Sequence, residues 1–427
     1  MTHDIVLFGA TGFVGRLVAQ HLANHAPDGL AIALAGRSGD ALAELRAELP
    51  ERAGDWPLVV ASAEDPAQMR ALAESTRVVA TTVGPYAKYG MPLLEACAVL
   101  GTDYCDLTGE TLFVRDAADA WHETALESGA RIVNSCGFDS IPSDLGVLVT
   151  ADRAAADGAG ELTTTTLSVR VLKGWFSGGT LDSIRGQAVT ARQDAAARQI
   201  LADPFSLSPN RDAEPATSQQ DLDLAPPGNR VAQTLATAKA WRKRVAPTHD
   251  PDTGRWVAPY FMAGFNTRIV RRSNALSGWR YGRGFRYREV MDFGSGPKAS
   301  VLANGTVAGL LGMFAGLSFE PTREVLARVL PKPGDGPSEK SRREGRFRMV
   351  IAARTTSGAA YETVFGADLD PGYDATAVML GQSALCLALD RDRTPKGGGV
   401  LTPATALGTP LVERLRAHGF TVTTRVA

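Results

Sequence analysis

The chain has 427 residues, of which 44% are hydrophobic and 21% are charged, and its formal net charge is −1. This length suffices for two or three domains with cores of their own, and the near-neutral charge argues against general nucleic-acid binding. Four cysteines without a Cys-x-x-Cys spacing predict reduced thiols and a cytoplasmic protein. His21 and His25 are spaced like a metal pair, but no acidic partner lies between them, so we expect no metal site.

The first predicted strand, at residues 5–8, runs into three glycines at three-residue steps and then into a helical segment. A glycine turn between a strand and a helix N-terminus is typical of a pyrophosphate site. The first glycine permits the turn, the second lets backbone approach phosphate, and the third lets the helix pack closely. The cofactor-binding residues predicted here are Gly9, Thr11, Gly12, Phe13, Val14 and Gly15. The alternative is a glycine turn in some other strand–helix unit.

Further strand signals alternate with amphipathic helical stretches through the first third of the chain. They lie at residues 31–35, 58–61, 78–83, 103–107 and 131–134. Near-continuous apolar strands separated by helices predict an α/β fold with a doubly wound parallel sheet. We therefore assign residues 1–145 to a Rossmann domain that binds NADP.

The pattern changes in the second part of the chain. Alternating segments at residues 163–172, 281–292, 347–354 and 360–366 predict an antiparallel sheet. We assign residues 146–373 to a mixed α+β domain for substrate binding and dimerisation, with a loop insertion at about 203–230. Residues 374–427 are expected to form C-terminal helices, at 375–389 and 410–418, that return to the Rossmann domain.

The end of the second strand indicates which cofactor binds. An NAD site usually carries an acidic residue there, whereas this chain has Arg37 followed by Ser38. A guanidinium and a hydroxyl suit a 2′-phosphate, so the sequence predicts NADPH. The alternative for Arg37 is an ordinary surface arginine in a loop.

Polar loops follow the fourth and fifth strands, where a cofactor and a substrate would meet. Val83, Gly84 and Pro85 are predicted to lie near the nicotinamide half of the cofactor. Candidate catalytic residues are Tyr86 and Lys88, as donors to a substrate oxygen, and Asp106. The alternatives are a packing tyrosine, a solvated lysine and a carboxylate that caps a helix.

Five motifs carry a family resemblance: GATGFVG, AGRS, TTVGPYAKYG, GTDYCDLTGE and NSCGFDSIPSD, in this order. Together they resemble the saccharopine dehydrogenase-like oxidoreductases, and among them the trans-acting enoyl reductases of actinobacterial lipid and polyketide pathways. The resemblance implies NADPH-dependent reduction of a carbon–carbon double bond in an acyl thioester, and it supplies no catalytic acid. Rival functions are a saccharopine-type C–N oxidoreductase and a non-catalytic NADP sensor. No tyrosine is followed by lysine four residues later, so the catalytic pair of short-chain dehydrogenases is missing.

Two segments of the second half suggest partners. Seven arginines between positions 268 and 288 would steer an acidic carrier protein that delivers the acyl thioester, or would form a solvated face. The uncharged stretch at 299–319 has two Gly-x-x-x-Gly spacings, which suit a buried helix, the helix of a homodimer, or a wall that contacts lipid. Lipid contact would place the protein at the inner face of the membrane.

Overall fold

The computed structural model describes residues 2–174, 178–214, 246–250, 253–318 and 336–427. Strands and helices are numbered here in chain order. The first part comprises β1 His3–Phe8, α1 Phe13–His25, β2 Ile32–Gly36, α2 Gly39–Glu48, β3 Leu58–Val60, α3 Pro66–Glu74, β4 Thr76–Thr81, α4 Tyr86–Tyr89, α5 Met91–Leu100, β5 Asp103–Cys105, α6 Thr111–Ser128, β6 Arg131–Val133 and α7 Ile141–Ala156.

The second part contains the remaining described elements. They are β7 Leu162–Lys173, α8 Gly178–Gln193, α9 Ala195–Ala202, β8 Thr248–Asp250, β9 Arg255–Pro259, α10 Ala263–Leu276, β10 Arg286–Asp292, α11 Pro297–Ser318, α12 Glu339–Arg343, β11 Arg346–Thr355, β12 Ala360–Ala367, α13 Thr376–Leu389, β13 Gly399–Leu401, α14 Pro403–Ala406, α15 Gly408–Ala417 and β14 Thr421–Val426.

The first sheet is parallel and has the strand order β13-β6-β5-β4-β1-β2-β3. Its first six strands, β1 to β6, follow the order 3-2-1-4-5-6 of a Rossmann fold, which confirms the predicted class. The central strand β1 is buried on both faces, with Ile5, Val6 and Leu7 fully covered. Burial on both faces explains why its sequence reads as an apolar run.

The second sheet has the order β14-β12-β11-β7-β10-β9-β8. Its strands pair antiparallel except β7 and β10, which run parallel. The prediction of an antiparallel sheet is therefore confirmed for the described strand pairs except this one. More than a hundred residues separate β7 from β10, and this connection is long enough for the crossover that a parallel pair needs.

The C-terminal segment returns to the first domain, as predicted. Helix α13 packs against α1 and β4. The C-terminal segment also contributes two strands whose positions the sequence did not indicate. Strand β13 extends the Rossmann sheet beside β6, and β14 extends the second sheet beside β12. The guanidinium of Arg131 on β6 holds the segment just before β13 through hydrogen bonds to Thr394 (2.5 Å) and to the Pro395 carbonyl (2.9 Å).

The arginine-rich segment does not form one exposed patch. Arg268, Arg271 and Arg272 on α10 are buried. Arg268 donates to the backbone carbonyl of Leu201 (2.7 Å) and Arg271 to that of Pro204 (3.1 Å). Arg272 donates to the carbonyls of Leu207 (2.6 Å) and Val400 (2.7 Å). The expectation of a seven-arginine steering surface was therefore wrong for these three, because their side chains are buried and bond neighbouring carbonyl groups. Of the other four, Arg280 forms an ion pair with Asp152 (2.7 Å).

The uncharged segment forms helix α11, and most of residues 301–312 are exposed or half-exposed. Val301 is 73% exposed and Leu302 is 60% exposed, so the buried-helix alternative was wrong for this part. Among the described residues, no helix combines the length and the apolar character needed to span a membrane. Of the predicted insertion at 203–230, residues 215–230 lie outside the described residues.

Candidate functional site

The glycine turn between β1 and α1 is closely packed on one side and open on the other. Gly9 has a φ of +85°, and a Cβ added there would lie 2.7 Å from Thr82 Oγ1. A Cβ at Gly15 would lie 2.1 Å from the Gly9 carbonyl oxygen, whereas a Cβ at Gly12 would meet only that same oxygen, at 3.4 Å. Side chains are therefore excluded at Gly9 and Gly15, while the backbone of the exposed Gly12 is approachable from outside.

Helix α1 begins directly after this turn, at Phe13. No side chain caps its N-terminus and no acidic residue lies in its first turn. The first N–H groups of a helix have no intrahelical partner and attract anions. The turn thus fits the pyrophosphate of a dinucleotide, in steric terms and in charge.

Arg37 and Ser38 follow β2 at the neighbouring strand end. Ser38 Oγ caps α2 by accepting from the Ala41 N–H (3.2 Å). Arg37 is exposed, and its side chain makes no hydrogen bond or ion pair with the residues that the structure describes. Its guanidinium is therefore available to a 2′-phosphate, and no carboxylate at the end of β2 would repel that group.

The loop after β4 is tied to the glycine turn, because Thr82 Oγ1 donates to the Gly9 carbonyl (3.0 Å). This bond holds Val83, Gly84 and Pro85 beside the turn. Tyr86 comes next and is buried, and its hydroxyl donates to the Thr81 carbonyl (3.1 Å) and accepts from the Leu107 N–H (3.1 Å). Its one proton is already donated, which favours the packing alternative over a proton-donor role.

Lys88 and Asp106, the other two catalytic candidates, lie in opposite environments. Lys88 is exposed, with its ammonium 4.5 Å from the centroid of the Tyr89 ring. Asp106 is fully buried, and burial raises the pKa of its carboxyl to about 6. It accepts four hydrogen bonds, from the Tyr104 hydroxyl (3.1 Å), the Thr108 N–H (3.1 Å), the Asn134 amide (2.7 Å) and the Ser135 N–H (2.8 Å).

These contacts give the Asp106 carboxylate a positioning role, because it joins the loops that follow β5 and β6. The Glu110 carboxylate likewise joins the loop after β5 to α4 and α8. It accepts from the N–H groups of Tyr86 (2.9 Å) and Ala87 (2.8 Å) and from the Ser183 hydroxyl (2.8 Å). The carboxylates at this rim therefore fix the loops that would surround a ligand.

Two polar atoms at the end of β6 are buried without a hydrogen-bond partner among the described residues. They are Asn134 Oδ1 and Ser135 Oγ. Ser135 also has a φ of +67°, which is uncommon for a residue other than glycine. Strained backbone and unsatisfied polar groups are frequent at ligand sites.

Tyr260 is a residue that the sequence reasoning missed. It is 1% exposed, and its hydroxyl has no hydrogen-bond partner within the described part of the chain. Burial raises its pKa well above the usual value, and the carboxylates of Asp139 and Glu289 raise it further. The hydroxyl therefore keeps its proton at physiological pH.

The segment around Tyr260 connects the second domain to the rim of the first. A Cβ at Gly109, in the loop after β5, would lie 3.5 Å from the Met262 methyl carbon and 3.8 Å from Asp139 Oδ2. Within the second domain, Asn266 on α10 donates to Glu289 on β10 (3.0 Å), which also accepts from the Tyr287 hydroxyl (2.9 Å). Polar residues within the Met-Ala-Gly-Phe-Asn-Thr segment at 262–267 were the available signal for this contact.

A Rossmann sheet with an open glycine turn, joined to a mixed α+β domain at its strand ends, is the architecture of a dinucleotide-binding protein. The saccharopine dehydrogenase NADP-binding domain matches residues 5–133. A trans-acting enoyl reductase of Mycobacterium tuberculosis is 46% identical over 99% of this chain and 98% of its own length. One from Mycobacterium ulcerans is 45% identical over 98% and 97%.

The similarity extends to solved structures. Saccharopine dehydrogenase (L-Glu forming) of Saccharomyces cerevisiae, in its apo form, covers 100% of both chains with a TM-score of 0.52 and 14% identity, which shows a shared fold. The chain belongs to the trans-acting enoyl reductase family, within the saccharopine dehydrogenase-like NADP-dependent oxidoreductases. This family assignment agrees with the resemblance in the five motifs and with NADPH as the cofactor.

Proposed function

We propose that this protein reduces the carbon–carbon double bond of an α,β-unsaturated acyl thioester. NADPH, when bound, supplies the hydride that reaches Cβ, and a proton reaches Cα. The observation that carries the proposal is the full-length similarity to enzymes named trans-acting enoyl reductases, together with a glycine turn and an Arg37 that fit NADPH. The phrase trans-acting in those names supports a substrate delivered by a partner enzyme system.

The chain must also stabilise the negative charge that develops on the thioester oxygen. The Tyr86 proton is already donated to a carbonyl, and Asp106 accepts four hydrogen bonds. Tyr260 has an O–H group with no acceptor among the described residues and a pKa that keeps it protonated. We therefore propose Tyr260, rather than Tyr86, Lys88 or Asp106, as the donor to the thioester oxygen.

The reaction is tested by following NADPH absorbance with enoyl thioesters of several chain lengths, both free and carrier-bound. Consumption of NADPH with these substrates is the expected result. Consumption only with pairs of amino acids and keto acids would support the saccharopine-type C–N oxidoreductase. Tight NADPH binding without turnover of any substrate would support the sensor.

The role of Tyr260 is tested with Tyr260→Phe, which keeps the ring and removes the hydroxyl. Loss of one preorganised donor is expected to lower kcat about 100-fold, with little change in the Kd for NADPH. Tyr361→Phe is the matched control, since Tyr361 lies on β12 and its hydroxyl donates to Asp157 (3.0 Å), which follows α7. Its loss should lower stability but leave kcat unchanged. Full kcat in Tyr260→Phe would exclude the proposed role.

The partner surface is a separate part of the proposal. Helix α11 exposes Val301 and Leu302, and no atom of the described residues lies within 4 Å of a Cβ placed at Gly305, Gly309 or Gly312. An uncharged helix face with this much open space supports contact with another apolar surface. An acyl chain, a second subunit of a homodimer, a carrier protein and lipid are the occupants to be distinguished, and a cytoplasmic location stays a prediction.

A further inference from the structure

Two consecutive side chains at the end of β6 lack hydrogen-bond partners although they are almost fully covered. Asn134 is 1% exposed and Ser135 is 2% exposed, and neither Asn134 Oδ1 nor Ser135 Oγ has a partner among the described residues. Buried polar atoms are nearly always paired in native proteins, so two adjacent exceptions need a cause. Ser135 in addition holds its backbone at a φ of +67°, where a residue with a Cβ is strained.

The neighbouring carboxylate determines what these atoms can do. Asn134 Nδ2 donates to Asp106 Oδ2 (2.7 Å), and the Ser135 N–H donates to Asp106 Oδ1 (2.8 Å). A flipped amide would place its oxygen against the carboxylate, so Asn134 Oδ1 must face away from Asp106 as an acceptor. Ser135 Oγ beside it can donate. Asp106 is thus a positioning residue that presents an acceptor and a donor side by side.

An adjacent acceptor and donor are the complement of a primary amide, which offers an N–H and a carbonyl oxygen in the same arrangement. These residues end β6, which pairs with β5, and β5 pairs with the strand that leads into Val83–Pro85. In an open α/β sheet, ligands bind outside the carboxyl ends of the strands. NADPH carries one primary amide in its redox-active half, the carboxamide of the nicotinamide ring.

We propose that Asn134 and Ser135 bind the nicotinamide carboxamide, with Asn134 Oδ1 accepting from the amide N–H and Ser135 Oγ donating to the amide oxygen. Both atoms are buried in this structure, so the protein atoms that cover them have to move when the cofactor binds. Two hydrogen bonds to the carboxamide would fix the rotation of the ring and hence the ring face presented to the substrate. The inference rests on NADP binding and is independent of which substrate is reduced.

The test compares two ligands by titration calorimetry with the full chain. One is NADP⁺, and the other is 2′-phospho-ADP-ribose, which lacks the nicotinamide. The variant is Ser135→Gly, which removes the hydroxyl and relieves the positive φ, so we expect it to fold. Its Kd for NADP⁺ should rise about 10-fold, while its Kd for the fragment should stay within about 2-fold of wild type.

Asn134 is tested from the ligand side, which leaves its bond to Asp106 intact. The 3-acetylpyridine analogue of NADP⁺ has no amide N–H, so wild-type protein should bind it about 10-fold more weakly than NADP⁺. Unchanged NADP⁺ affinity in Ser135→Gly would overturn the inference and leave a buried water as the partner of these atoms. Equal weakening of NADP⁺ and the fragment would overturn it as well, because it would indicate a purely structural role. Failure of enoyl reduction leaves these binding results unaffected.

Discussion

Three histidine rings meet where α1 packs against α13 and against the turn after α15. The ring centroids of His21, His25 and His418 lie 4.6, 5.3 and 4.9 Å apart in pairs. The Gln382 amide nitrogen lies 2.9 Å from His21 Nε2 and 3.1 Å from His418 Nε2. Arg414 donates to Gln382 Oε1 (3.3 Å), so the amide is oriented with its nitrogen toward both rings.

Protonation of His21 is therefore expected to destabilise the fold. Burial, together with smaller effects of the neighbouring His25 and His418, lowers the pKa of His21 to about 3. Arg414, which donates to Gln382, is also paired with Asp390. Between pH 6.5 and 3 the unfolded chain binds more protons at His21 than the folded chain, so the free energy of unfolding falls as the pH falls.

The size of this effect follows from the two pKa values. A pH of 5 is about 1.5 units below the ordinary pKa of histidine, which His21 has in the unfolded chain. At about 1.36 kcal/mol per unit, the free energy of unfolding falls by about 2 kcal/mol. Asp106, Asp144 and Glu289 act in the opposite direction, because burial raises their pKa values to about 6, 7 and 7. The contribution of His21 must therefore be isolated as a difference between two proteins.

The assay is urea denaturation of wild type and His21→Gln at pH 7.5 and at pH 5.0. Wild type should lose about 2 kcal/mol more than the variant over this interval. His249→Gln, which removes an exposed ring of the second sheet, is the control for loss of an imidazole. The same pH dependence in wild type and His21→Gln would refute the reasoning.

Three further predictions concern the cofactor and the apolar helix. Arg37→Ala should weaken NADPH by roughly 1.5–3 kcal/mol with little effect on NADH, and equal losses in a fluorescence titration would contradict a role in recognising the 2′-phosphate. Gly15→Ala should abolish NADPH binding and lower the Tm, because the new Cβ would lie 2.1 Å from the Gly9 carbonyl oxygen. Gly305→Ala, with open space around it, is the matched control and should not lower the Tm. Leu310→Asp should reduce turnover of long acyl thioesters more than short ones if α11 contacts the acyl chain, at about 0.8 kcal/mol per methylene. Dissociation into monomers with an unchanged chain-length preference, measured by light scattering and kinetics, would identify α11 as a dimer interface instead.

The first domain could be predicted because its information is local. A strand buried on both faces reads as an apolar run, and the glycine turn has few sequence solutions, since a Cβ at Gly9 or Gly15 would collide with neighbouring atoms. The second sheet depends on pairing between distant segments, and alternation along β7 and β10 does not encode that they run parallel. The positions and pairing of the two C-terminal strands could not be predicted for the same reason.

The candidate site could also be predicted only where its residues follow directly from local sequence. Position along the chain correctly identified the loops at the strand ends, but it does not determine where a side chain turns. Tyr86 was chosen for its position, and its hydroxyl points back to the Thr81 carbonyl. Tyr260 and Asn266 come from a segment more than a hundred residues away from these loops, so only the three-dimensional structure brings them to the rim.

The late addition of β13 to the Rossmann sheet has a consequence for biosynthesis. Arg131 on β6 is hydrogen-bonded to the Gly397 carbonyl, which is 266 residues further along the chain. At about 5–20 residues per second, a ribosome needs on the order of tens of seconds to synthesise the residues between Arg131 and Gly397. Throughout that interval the nascent nucleotide domain has an unpaired strand edge, which is a template for aggregation. Expression of this protein should therefore depend on chaperones that shield β6, and a fragment that stops at residue 145 should be a poor substitute for the whole nucleotide domain.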